Sequence, residues 1–247
     1  MTSFYRRYVS GHREAVWAEL RAHGPLGPMH PADAEDVAAV ARETMRRAAR
    51  HVDRIAEALP SLGISGRPGL PPRRRPDAVE RAEVDALAAE IGGLPAALEA
   101  CLREIGHTWF AGDYSALRIG CPHGAPVQGG PPGPAYPDPL CLPDAARLRW
   151  EWDLRTADPE RRAEEQGFVF DFAPDEYHKA GVSGAAHTIV LPDRRADPVL
   201  RGVAGRPGVT LVEYLRASVA WGGFPGWEFG AEPVPDALRA LRAVPDF

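Results

Sequence analysis

From Pro31 to Leu59 the apolar positions Val37, Val40, Ala41, Met45, Ala48, Val52, Ile55 and Leu59 recur every three or four residues, a stripe on one face of a long helix. Pro31 suits a first helical turn, Asp33, Glu35 and Asp36 favour the positive end of the dipole, and Pro60 stops the run. Arg42, Arg46, Arg50 and Arg54 form the opposite, solvated face. A shorter helix is predicted from His12 to Ala22. Asp77 to Ile91 carries Val79, Val84, Leu87, Ala88 and Ile91 inward and stops at Gly92 and Gly93, and LPAALEACLREIG follows with Leu94, Leu98, Leu102 and Ile105 on one side. Cys101 lies beside that stripe and reads as a packed thiol.

The period then changes. HTWFAG reads as a short strand, and residues 111 to 145 are rich in Gly and Pro, with GGPPGPAYPDP too broken for a core element. LRWEWDL (148 to 154), GFVFDFAPD and HTIVLPD have strand character, the first through alternation of Leu148, Trp150 and Trp152 with charged residues. TLVEYLRASVAW returns to a helical period and runs into WGGFPGWE. Helices followed by adjacent strands predict an α+β fold, a twisted and mainly antiparallel sheet backed by helices, with an N-terminal helical extension. The expected divisions are a helical region over residues 1–70, an extended, solvated Pro/Arg linker at 71–76, and an α+β domain over 77–247.

In WGGFPGWE three glycines and a proline exclude a continuing helix or strand, yet the turn holds two of the chain's six tryptophans. Trp221 most economically completes the apolar face of the preceding helix, with Phe224 and Trp227 over the sheet edge as a plug. The competing reading makes Trp221, Phe224, Trp227 and Glu228 a binding surface.

Composition narrows the function. A formal charge of −5 with scattered acids and bases argues against a duplex nucleic-acid binder, despite the Arg73, Arg74, Arg75 cluster. Three cysteines are too few for a disulfide framework, and no apolar run reaches the length of a membrane span, so a cytoplasmic protein is expected. No phosphate-binding glycine loop, HExxH or paired CxxC is present. CPHG, Cys121 to Gly124, is at most half of a zinc site, so neither metal nor cofactor is assigned. In DEYHKAGVSGAAH, His178, Lys179, Ser183 and His187 most simply belong to a loop joining two strands, with polar side chains bonding backbone and water; otherwise they suggest either a ligand-binding loop or the centre of a small hydrolase or transferase. The latter requires them to converge, and VSGAA lacks the glycine pattern of a nucleophile elbow. Asp171, Asp175 and Glu176 could form an acid/base pair only at a separation that the sequence does not fix.

The stretch EVDALAAEIGGLPAALEACLREIGHTWFAG resembles the core pattern of the SUKH superfamily: a helix closing on an acidic residue and Gly, Leu-Pro opening a second amphipathic helix, then Gly and an aromatic strand. That superfamily is similar to yeast cell-wall-synthesis regulators and includes bacterial immunity proteins that neutralise polymorphic toxins. YHKAGVSGAAHTIVLPD, with TLVEYLRASVAWGGFPGWE, is similar to bacterial relatives in which a His-Lys loop precedes a strand and a late helix ends in Trp-Gly-Gly-Phe-Pro-Gly. The two stretches cover roughly half the chain and leave the N-terminal helices outside. The resemblance carries no catalytic residues with it. It implies a non-enzymatic scaffold that binds a protein partner such as a toxin; the alternatives are the small enzyme above and a regulatory subunit docking through its N-terminal helix.

Overall fold

A computed structural model of the chain describes residues 3–24, 30–64, 69–112, 117, 136–158, 167–230 and 233–247. The fold is α+β. Three helices open the chain, α1 (Phe4–Val9), α2 (Arg13–Ala22) and α3 (Pro31–Ala58). The stripe read along α3 is its buried face, and Arg42, Arg46, Arg50 and Arg54 are exposed. That face packs against α1, against α5 (Ala96–Glu104) and against α8 (Leu211–Ala220), so the N-terminal helices share one hydrophobic core with the later elements. Trp17 of α2 is sealed into it, its indole N–H donating to Thr44 of α3 at 3.0 Å.

Local signals fix the element ends. In α4 (Ala78–Ile91) Asp77 and Glu80 form a reciprocal capping box, and Gly92 closes the helix in the left-handed conformation. Thr210 and Glu213 make a second capping box on α8. The segment 71–76 is extended and hydrogen-bonds along the next strand, Arg74 N–H to His107 O and Trp109 N–H to Pro72 O. It is not solvated throughout. The Arg73 side chain is only 7% exposed and pairs with Asp53 of α3 at 3.0 Å, because the strand beside it draws the backbone into the packed interior.

Among the described residues the strands form two two-stranded antiparallel ladders. In one, β1 (Thr108–Trp109) pairs with β2 (Cys141–Leu142); in the other, β3 (Phe168–Pro174) pairs with β4 (Ala186–Leu191), with a bulge between Asp171 and Ala173. Phe168, Phe170 and Phe172 point inward with His187, Ile189 and Leu191, while Asp171 and Thr188, directly opposite each other, belong to the outward face.

The strand expected at 148–154 is instead part of helix α6 (Ala145–Ala157). The Asp144 carboxylate caps its first turn through the Arg147 N–H, and Ala145, Leu148 and Glu151 are buried at a helical step of three. The alternating tryptophans face different surroundings for that reason. Trp150 is 51% exposed beneath the Arg147 guanidinium, whereas Trp152 packs edge-on against Phe168 and donates to Glu90.

The WGGFPGWE turn is a plug. Phe224 is 0% and Trp227 2% exposed, both in the core. Trp221 is half-buried under the Arg242 guanidinium, and Glu228 is exposed and paired with Arg206. Its glycines permit contacts that a side chain would block. A Cβ on Gly223 would meet the Phe110 ring at 2.9 Å, and one on Gly226 would meet the Tyr136 carbonyl at 1.9 Å. The turn also supplies main-chain bonds to the segment beside it, Leu140 N–H to Gly223 O at 2.8 Å and Gly226 N–H to Pro137 O at 3.0 Å. It thereby fixes residues 137–140, which lead directly into β2.

Candidate functional site

The loop between β3 and β4 is built around Asp175. One carboxylate oxygen accepts the His178 N–H at 2.8 Å, capping the single-turn helix α7 (Glu176–Lys179), and the other accepts the Ala185 N–H at 2.6 Å. Gly184 is required there, since a Cβ would lie 2.2 Å from Asp175 Oδ1. The turn divides the sequence candidates between two sides. Lys179 and His187 point into the protein; His178 and Ser183 are exposed. The four therefore do not converge on one reacting centre.

Lys179 enters a buried polar cluster whose other members are Asp138 and Tyr214. Its Nζ lies 2.5 Å from Asp138 Oδ1 and 3.2 Å from the Tyr214 hydroxyl, which in turn approaches Asp138 Oδ2 at 3.4 Å. The Lys179 side chain is 0% and that of Asp138 3% exposed. His187 Nδ1 bonds the Gly202 carbonyl at 3.1 Å, and its Nε2 stands 3.7 Å from Asp138, close enough for charge interaction but too far for a hydrogen bond. Burial alone would raise the Asp138 carboxyl, but the Lys179 ammonium and the His187 ring together outweigh it and hold the group down at about 2. Burial works against the charge on Lys179 as well, and Asp138 reverses that effect and raises it. Tyr214 is pushed up by burial. Both charges of the pair are thus kept through neutral pH in a site closed to solvent, which makes the cluster an internal brace. Asp138 holds a left-handed backbone at φ 49°, a conformation that Asp tolerates better than most residues.

Next to this brace lies an open cleft of about 880 Å³. One wall is β1 with its flanks, where His107 and Trp109, two residues apart on one strand face, present parallel rings with centroids 6.4 Å apart. Residues 141–144 and Arg147 form the second wall. The outward ends of β3 and β4, with the Asp175 turn, form the third. Cys141 belongs to both regions, lining the cleft while burial pushes its thiol up to about 11 beside Lys179. Such a thiol is a poor nucleophile. Burial lowers the His107 imidazole against the pull of Asp144.

Of the binding-loop and turn candidates His178 reaches the cleft lining; Ser183 does not, and Trp221, Phe224, Trp227 and Glu228 lie elsewhere. Asp171 also lines the cleft, while Asp175 supports the turn from within. The sequence reading missed Asp138, Tyr214 and Trp109 as members of the site. Tyr214 had a signal, sharing a helical face with Leu211 and Ser218, whereas Asp138 sits in PAYPDP with nothing local to mark it. CPHG lies outside the described residues. Among the described residues no group of three or more His, Cys, Asp or Glu could hold a metal ion, and no helix is long and apolar enough to cross a membrane.

No family model matches the chain, and neither a curated protein nor a solved structure shows significant similarity to it.

Proposed function

We propose that this chain is a non-enzymatic binding module and that the cleft between the β1/β2 ladder and the β3/β4 hairpin is its ligand site. The observation that carries this reading is the cleft itself: a preformed concavity with aromatic and apolar walls, a few polar groups, and a rigid buried brace behind it. Neutralisation of a toxin, implied by the SUKH resemblance, is one form such binding would take. The hydrolase or transferase alternative has less support, because His178 and Ser183 are turned away from Lys179 and His187. Docking through α3 has less support too, since the apolar face that a partner would need is packed within the chain.

The test is to fill the cleft. Thr188 is half-buried on the outward face of β4, where a tryptophan suits strand geometry, so Thr188→Trp should occupy the cavity without touching the core. The expected result is that a stoichiometric protein partner recovered with the wild-type chain from its native lysate is lost with the variant, while both melt at similar temperatures. A partner retained by a folded Thr188→Trp variant refutes the assignment of the cleft.

A further inference from the structure

The polar groups of the cleft are unevenly matched. Asp144 is held by Arg74 at 2.6 Å and by the first turn of α6, and Arg147 is paired with Glu151 at 2.5 Å. These charges are answered within the chain. Asp171 is different: it is exposed on the cleft lining, and among the described residues no hydrogen bond or ion pair holds its carboxylate. Its own N–H donates to Glu151 at 2.9 Å, which brings a second carboxylate, itself paired with Arg147, alongside. Burial raises the Glu151 carboxyl, and the Asp171 charge adds to that rise.

His178, also in the lining, bonds the Ala185 carbonyl through Nδ1 at 3.0 Å. Against a carbonyl Nδ1 must be the donor, so in the neutral ring Nε2 is left as an acceptor. The cleft therefore offers an unmatched carboxylate and an imidazole acceptor, with apolar surface from Leu142, Pro143 and Phe172 around them. A ligand that complements this set carries donors and positive charge at the end of an apolar stem.

We propose that the cleft receives a basic side chain, lysine or arginine, presented by a partner protein, with the Asp171 carboxylate as its counter-charge and His178 as a second acceptor. The inference rests on the cleft being the ligand site. An acidic group there would face an unanswered carboxylate, and a purely apolar one would strip water from Asp171 with no compensating bond. The net charge of −5 favours approach of a basic partner over an acidic one.

The experiment is an NMR titration of the full chain with four capped amino acids, the N-acetyl amides of arginine, lysine, leucine and glutamate, read at the Trp109 indole N–H and the Thr188 amide. Arginine or lysine should shift both signals, more weakly as salt is raised, and Asp171→Asn should weaken that binding at least tenfold while leaving the melting temperature unchanged. Leucine or glutamate probes that bind at these signals as well as the basic ones overturn the proposal but leave the cleft as a ligand site. Basic probes that bind equally to Asp171→Asn, or that shift only signals outside the cleft, overturn it as well. If no probe moves either signal, the cleft assignment falls with it.

Discussion

Removing the ammonium of Lys179 leaves Asp138 as an unpaired charge in a closed site, and the structure bounds what that costs. In Lys179→Met the carboxylate keeps only the Tyr214 hydroxyl at 3.4 Å and the His187 ring at 3.7 Å as polar neighbours among the described residues. It can escape the penalty by taking up a proton. At pH 7 that costs a carboxyl of ordinary value 3.8 about 4 kcal/mol, at ~1.36 kcal/mol for each pH unit. The expected destabilisation is therefore about 3–5 kcal/mol at pH 7, the range found when one partner of a buried pair is removed. Near pH 4 protonation is almost free, so the cost should fall to about 1 kcal/mol. In the double variant Lys179→Met/Asp138→Asn both charges are gone, and asparagine accepts the left-handed backbone at 138. Much of the loss should then return, with a coupling energy of about 2 kcal/mol or more. Urea unfolding of the wild type, both single variants and the double variant at pH 7 and pH 4 measures all of these. A Lys179→Met cost below ~1 kcal/mol at pH 7, or an equal cost at both pH values, would refute the picture of a charged buried pair.

Burial raises the Asp197 carboxyl from 3.8 to about 6 even though one of its oxygens accepts the Val212 N–H. A group raised on folding contributes stability that is complete below its unfolded value and lost as pH rises through its folded one. The wild type should thus lose about 2 kcal/mol between pH 4 and pH 7 from this site, and Asp197→Asn should remove that slope in pH-dependent melting. Gly226→Ala drives a Cβ into the Tyr136 carbonyl and should cost at least ~2 kcal/mol in urea unfolding, shifting the amide signals of 137–140. Trp227→Ala should cost about 3–5 kcal/mol, and Trp227→Phe less than half of that, because among the described residues the indole N–H has no acceptor to lose. Equal losses in the two Trp227 variants, by the same assay, would contradict the plug.

What could be read from the sequence followed from periodicity and punctuation. The α3 stripe, the glycine stop at Gly92 and the apolar runs of β3 and β4 are local patterns, and local physics places them. The alternation Leu148, Trp150, Trp152 misled because a two-residue period over so short a run also fits a helix, and the Asp144 cap decides between them. The Lys179 partnership with Asp138 was beyond reach. Forty-one positions separate the two residues, and what joins them is the WGGFPGWE turn holding 137–140 in place. The same turn answers why two large rings sit among glycines: Phe224 and Trp227 anchor it, while Gly223 and Gly226 let it touch the chain that carries Asp138.

Hydrogen exchange on the chain, alone and in complex with the protein partner recovered from its native lysate, tests the account most directly. Binding at the cleft predicts slowed exchange at residues 107–109, 141–147, 171–174 and 184–188, with the exposed face of α3 unchanged. Protection on α3 or around Glu228, with those cleft segments exchanging as in the free protein, would contradict it.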